Sequence, residues 1–139
     1  MAKIAWFDDE PYWVEKLRRR LVRDGHTLST FSTVAEALAG LDEIRSADIV
    51  VVDLIALGER SQNSYELYGG LEIMHKLNEG GRVPPTLAFS VVGSEAVLRE
   101  VRLYATRILE KPASADTLSE TILEMLAKAR EITNRQGQD

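Results

Sequence analysis

Asp8 and Asp9 follow a short apolar run, "IAWF", and Asp53 follows another, "IVVV". Taken singly, an acid after such a run is a solvated turn residue. Taken together, three ionised carboxylates are acceptors only, and they repel one another. Two such charges 4 Å apart at an effective dielectric of 20 repel by about 4 kcal/mol. A divalent cation removes that cost. Magnesium suits the donor type, because it takes oxygen ligands in an octahedron and keeps several waters. Glu10 fits as a further outer acid, or equally as charge compensation at a helix N-terminus. Two other residues follow short strand-like runs: Ser90 closes "TLAF", and Lys111 closes "RILE". Alone, the serine reads as a turn residue and the lysine as a solvated cation. Beside an acidic magnesium site they suit phosphoryl chemistry. The metal and the ammonium would neutralise phosphoryl oxygens, and the hydroxyl would donate to one of them.

These residues are distant in sequence, so only a fold can bring them together. Apolar runs predict strands at residues 4–7, 26–31, 47–52, 86–92 and 106–109. The third run lacks alternation, as expected of a parallel strand covered on both faces. Helical spacing falls between the strands. Pro11 opens a helix carrying Trp13, Leu17, Leu21 and Val22. Thr33 with Glu36 forms a capping box for a single helix over Val34, Ala35, Leu38 and Leu41. Leu71, Met74 and Leu77 form a third stripe, stopped by Gly80 and Gly81. Ser94 opens a fourth helix with Val97, Leu98 and Val101. Ser114 caps the last, which carries Leu118, Ile122, Leu123, Leu126 and Ala129.

The alternation predicts an α/β fold, a doubly wound five-stranded parallel sheet with helices on both faces. One common strand order, 2-1-3-4-5, sets the first strand beside the third. Function in such sheets lies beyond the carboxyl ends of the strands. That order draws Asp8, Asp9 and Asp53 to one edge, with Ser90 and Lys111 on the strands beyond. One domain is expected over residues 1–139, with an extended polar loop at 58–70, a polar tail at 134–139 and no further domain after the last helix.

Composition excludes several classes. Apolar residues make up 45% and charged residues 28%, the balance of a globular protein. No cysteine is present, so disulfide and thiolate chemistry are out. His26 and His75 are far apart and make a poor zinc pair. The net charge of -5 argues against direct nucleic-acid binding. The one basic cluster, "KLRRRLVR", lies in a helical pattern, where Arg18 and Arg19 read as a solvated face. No signal-peptide pattern and no membrane-length apolar run occur, so a cytoplasmic location is expected.

The segments "WFDDE", "VVVDL", "FS" and "EKP", each at a strand end and in this order, resemble the receiver domain of bacterial two-component response regulators. The resemblance covers residues 3–128. It implies a flavodoxin-like receiver fold in which an aspartate takes a phosphoryl group from a histidine kinase or a histidine phosphotransfer protein, with Mg2+ required. Carried across, Asp53 is the phosphoacceptor. Asp8 and Asp9, with Asp53 and the main-chain carbonyl of Ile55, hold the metal. Ser90 is the switch hydroxyl, and Lys111 pairs with the phosphoryl group. The family also implies weak autophosphatase activity and a downstream protein partner. That partner would meet the face made by the fourth helix, fifth strand and last helix, which includes Tyr104 and Ile108. Whether phosphorylation favours a homodimer stays open.

The sequence departs from the family in three places. Ile108 stands where an aromatic switch residue is usual, and Tyr104, one helical turn earlier, is the candidate substitute. The usual proline after the phosphoacceptor is absent. The segment "GERSQNSYELYGG" is longer than the family norm, and residues 59–68 read as a surface insertion or as a lid. Two other classes compete. One is a receiver-like binding module that works without phosphorylation, favoured by Ile108. The other is a small phosphatase with Asp53 as nucleophile, disfavoured because Ile55 occupies the position of a general acid.

Overall fold

The computed structural model describes residues 2–8, 11–54, 69–90, 95–110 and 113–137. The strands are β1 (Lys3–Phe7), β2 (Thr27–Phe31), β3 (Ile49–Asp53), β4 (Thr86–Ser90) and β5 (Arg107–Glu110). The helices are α1 (Pro11–Arg23), α2 (Val34–Ala39), α3 (Leu41–Arg45), α4 (Gly69–Leu77), α5 (Glu95–Tyr104) and α6 (Ala115–Gly137). All strand pairs are parallel, in the order β2-β1-β3-β4-β5. The expected order therefore holds.

Strand alternation divides the core into two layers. Ala5, Phe7, Val50, Val52 and Ala88 pack with Ala37, Ile44, Ile73, Met74, Leu77 and Val101 from α2 to α5. Ile4, Trp6, Val51, Leu87 and Phe89 pack with Leu17 and Leu21 of α1 and with Leu118 and Ile122 of α6. Every residue of β3 is buried, which explains its unbroken apolar run. The edge strands β2 and β5 are only partly covered, and their sequences are accordingly mixed.

Local signals set several boundaries. Thr33 Oγ1 accepts from Glu36 N–H at 3.0 Å, and the Glu36 carboxylate accepts from Ser32 N–H at 3.2 Å, so the capping pattern is realised one residue wider than its ideal form. Ser114 Oγ accepts from Thr117 N–H at 3.0 Å and starts α6. Three expectations need correction. The single second helix is two, α2 and α3, broken at Gly40. A Cβ there would lie 2.7 Å from the Phe31 ring, so the chain needs glycine where it passes that side chain. The expected loop at 58–70 ends earlier, since Gly69 and Gly70 already belong to α4; residues 58–68 lie outside the described residues. The expected tail at 134–139 is helical as far as Gly137. Arg135 and Gln136 have good helix propensity, and α6 continues through them to a glycine, a residue that suits a helix end.

Polar side chains tie the helices down. The Arg45 guanidinium donates to the carbonyls of Lys76 at 3.0 Å, Leu77 at 2.9 Å and Gly80, and so caps the end of α4. Arg20 joins α1 to α6 through Asp116 at 2.5 Å, and Ser119 Oγ donates to Asp24 at 2.9 Å. As expected, Arg18 and Arg19 are exposed.

His26, just before β2, is 7% exposed, and neither ring nitrogen has a hydrogen-bond partner among the described residues. Burial lowers its pKa below the ordinary histidine value; Asp24 opposes the shift and Arg130 adds to it. A lowered folded-state pKa means that the unfolded chain binds the proton more readily. The stability linked to His26 is complete above about pH 6.5 and is lost as pH falls through the folded-state value. His26→Leu should therefore flatten the fall in urea-unfolding stability between pH 7.5 and 5. Parallel pH profiles for the two proteins would contradict this.

Candidate functional site

β1 and β3 run side by side in register, with Phe7 level with Val52. The next residue on each is acidic. Asp8 and Asp53 thus come level at the C-terminal edge of the sheet, on strands about 4.8 Å apart. Both are only 2% exposed. Asp8 N–H donates to the Phe31 carbonyl at 3.0 Å, which carries the β1–β2 ladder one residue past the strand. Asp53 stays within the sheet, level with Phe89 of β4. The backbones that carry the two carboxylates are therefore fixed by strand pairing.

Ser90 ends β4 one residue beyond Phe89 and pairs with Glu110 of β5. The register places its backbone at the same sheet edge; its side chain lies outside the described residues. Asp9, Ile55 and Lys111 also lie outside them. Among the described residues no group of three or more His, Cys, Asp and Glu side chains could hold a metal ion. The two buried carboxylates nonetheless fit magnesium in donor chemistry. They are hard oxygen ligands, and that ion completes its octahedron with water. Asp8 and Asp53 are the described residues that would hold it.

The two candidate switch positions are described. Ile108 lies in β5 opposite Ala88, and Tyr104 ends α5. Both are partly buried against the same apolar cluster.

No family model matches the sequence, and no curated protein matches it significantly. Solved structures do match. NtrX from Brucella abortus, in complex with ADP, superposes with a TM-score of 0.79 at 23% identity, over 99% of this chain and 30% of NtrX. A CheY-like response regulator receiver domain protein from Methanospirillum hungatei JF-1 gives 0.76 at 18% identity, over 94% of this chain and 98% of that one. The chain has the fold of response-regulator receiver domains. A two-component response regulator from Clostridium difficile, at 15% identity and a TM-score of 0.75, covers 93% of this chain and 98% of its own. The chain thus spans less than a third of NtrX but nearly all of the other two.

Within this receiver fold, one contact was not anticipated from sequence. Gly70, on the first turn of α4, lies against the backbone of Asp53. A Cβ at Gly70 would fall 2.1 Å from the Asp53 carbonyl oxygen and 2.6 Å from Val52 Cγ1. No side chain fits there, so the helix abuts the acidic strand end directly. The signal was the pair Gly69-Gly70 opening an apolar helical stripe, a position where glycine otherwise weakens a helix.

Removing one of two like charges should stabilise the metal-free receiver fold and weaken its response to magnesium. Asp8→Asn should raise the melting temperature in chelator, by at most the equivalent of about 4 kcal/mol. Magnesium should raise the melting point of the unmodified protein, by about 2.7 kcal/mol of stability at a hundredfold excess over Kd, and that of the variant much less. Thermal melts with magnesium and with chelator make the comparison. An equal magnesium response in both proteins would remove Asp8 from the site.

Proposed function

We propose that the chain is a single receiver domain whose Asp53 accepts a phosphoryl group from a phosphorylated histidine of a kinase or phosphotransfer protein. The observation that carries this reading is the level placement of two buried carboxylates, Asp8 and Asp53, at the C-terminal edge of a receiver-fold sheet. In the proposed reaction an Asp53 carboxylate oxygen attacks phosphorus. A P–O bond forms, the P–N bond breaks, and the imidazole leaves as the neutral base after protonation. Asp8, Asp9, Asp53 and the Ile55 carbonyl would hold magnesium, whose contribution is to neutralise phosphoryl oxygens. Lys111, next after Glu110 at the end of β5, would pair with the same oxygens, and Ser90 would donate to one of them. Water attack on the acyl phosphate would give a weak autophosphatase activity.

Output is proposed to pass through protein contacts on the face of α5, β5 and α6. Leu103 on α5 and Leu123 on α6 are exposed there at 76% and 50%. No helix among the described residues is long and apolar enough to cross a membrane, in keeping with the proposed cytoplasmic setting. A binding module that works without phosphorylation is the second reading. It is favoured by Ile108, a partly buried aliphatic residue where the family places its switch aromatic.

Incubation with acetyl phosphate, with and without magnesium, separates these readings by intact mass. The unmodified protein should gain one phosphoryl group only with magnesium, and Asp53→Asn should gain none. Lys111→Ala should label about a hundredfold more slowly, the usual loss for one donor to developing charge. Absence of labelling in the unmodified protein would favour the binding module.

A further inference from the structure

Two contacts bracket α4. At its N-terminal end Gly70 lies against the backbone of Asp53 and the side chain of Val52. Five residues later, about 7.5 Å along the axis, His75 faces α5. Its buried Nε2 lies 2.8 Å from Glu100 Oε1, a close contact without hydrogen-bond alignment. Its ring meets the Tyr104 ring edge-on, with centroids 4.9 Å apart and planes at 64°. Glu100 and Tyr104 are one turn apart on α5, so a single histidine touches both.

The segment between these contacts is stiff. Ile73, Met74 and Leu77 are buried and fasten α4 to the sheet. Arg45 holds the carbonyls of Lys76 and Leu77. A displacement at the N-terminal turn is therefore not absorbed by fraying at the other end, where helix carbonyls otherwise lack partners. Tyr104 is placed to register it, because it packs, with Ile108, at the margin of the core that contains Val101. Packed interfaces of this kind change between discrete arrangements rather than deforming continuously.

We propose that α4 is a lever that couples the Asp53 strand end to Tyr104, with His75 as the positioning residue that makes the coupling. Its use in signalling rests on the reading of Asp53 as phosphoacceptor. The mechanical coupling belongs to the packing and exists without phosphorylation. The lever supplies a route from Asp53 to the α5 face that does not pass through the side chain at 108.

The test labels the protein with 3-fluorotyrosine and follows the Tyr104 fluorine resonance, assigned with Tyr104→Phe. Gly70→Ala pushes on α4 at Asp53. It should shift the Tyr104 resonance by more than its line width, and the added shift should vanish in a His75→Leu background. If Gly70→Ala fails to fold, Val52→Ala loosens the same seat and replaces it. A Tyr104 resonance that ignores the perturbation, or moves equally with and without His75, overturns the lever. A second arm adds acetyl phosphate and magnesium, with intact mass counting phosphoryl groups. Labelled unmodified protein should show the Tyr104 shift, and equally labelled His75→Leu should not. Absence of labelling overturns the phosphoacceptor reading, while the Gly70→Ala comparison still decides the lever.

Discussion

Parallel pairing of β1 with β3 holds two buried carboxylates level with each other, and much of the architecture serves or tolerates that juxtaposition. Phe7 and Val52 are paired, and Asp8 and Asp53 are the next residues on their strands. A slip of one residue would turn every side chain of β3 to the other layer. The alternating core of Ala5, Phe7, Val50 and Val52 on one side and Ile4, Trp6 and Val51 on the other forbids it. Hydrophobic burial thus fixes the distance between two charges that would separate if free. Such a pair of carboxylates suits a cation in donor chemistry, because protein packing has already met the cost of bringing them together.

The approach of α4 adds a second constraint. Here the helix meets Asp53 through glycine, at a separation that admits no Cβ. The far part of the same helix touches Glu100 and Tyr104 through His75. Ile108 has no polar end and packs as a partly buried aliphatic residue. Ile108 and Tyr104 lie at the margin of the same apolar cluster.

Much of the fold was legible in the sequence because its signals are local. The unbroken valines of β3 reported burial on both faces, and Thr33 with Glu36 reported a helix start. Alternation of strand and helix implied the parallel sheet, and the ends of two strands implied Asp8 and Asp53 at one edge. What was missed depends on contacts between distant residues. At Gly40, where one helix gives way to the next, a Cβ would meet the Phe31 ring, and nothing in the local sequence announces that ring. Gly70 and His75 act through neighbours on other elements. The extent of α6 was underestimated because a polar run reads as frayed when the helix that carries it is not yet in view. Asp9, Ile55 and Lys111 lie outside the described residues, so their placement stays with the functional proposal.

The central claim is that the carboxylate of Asp53, beside Asp8, is where phosphorus becomes attached. Borohydride reduction tests it at the level of the bond, because it converts an aspartyl phosphate to homoserine and leaves free carboxylates unchanged. After treatment with acetyl phosphate and magnesium, then borohydride and proteolysis, tandem mass spectrometry of the β3 peptide should place homoserine at position 53. Homoserine at another acidic residue, or none at all in protein shown to be folded, would contradict the account.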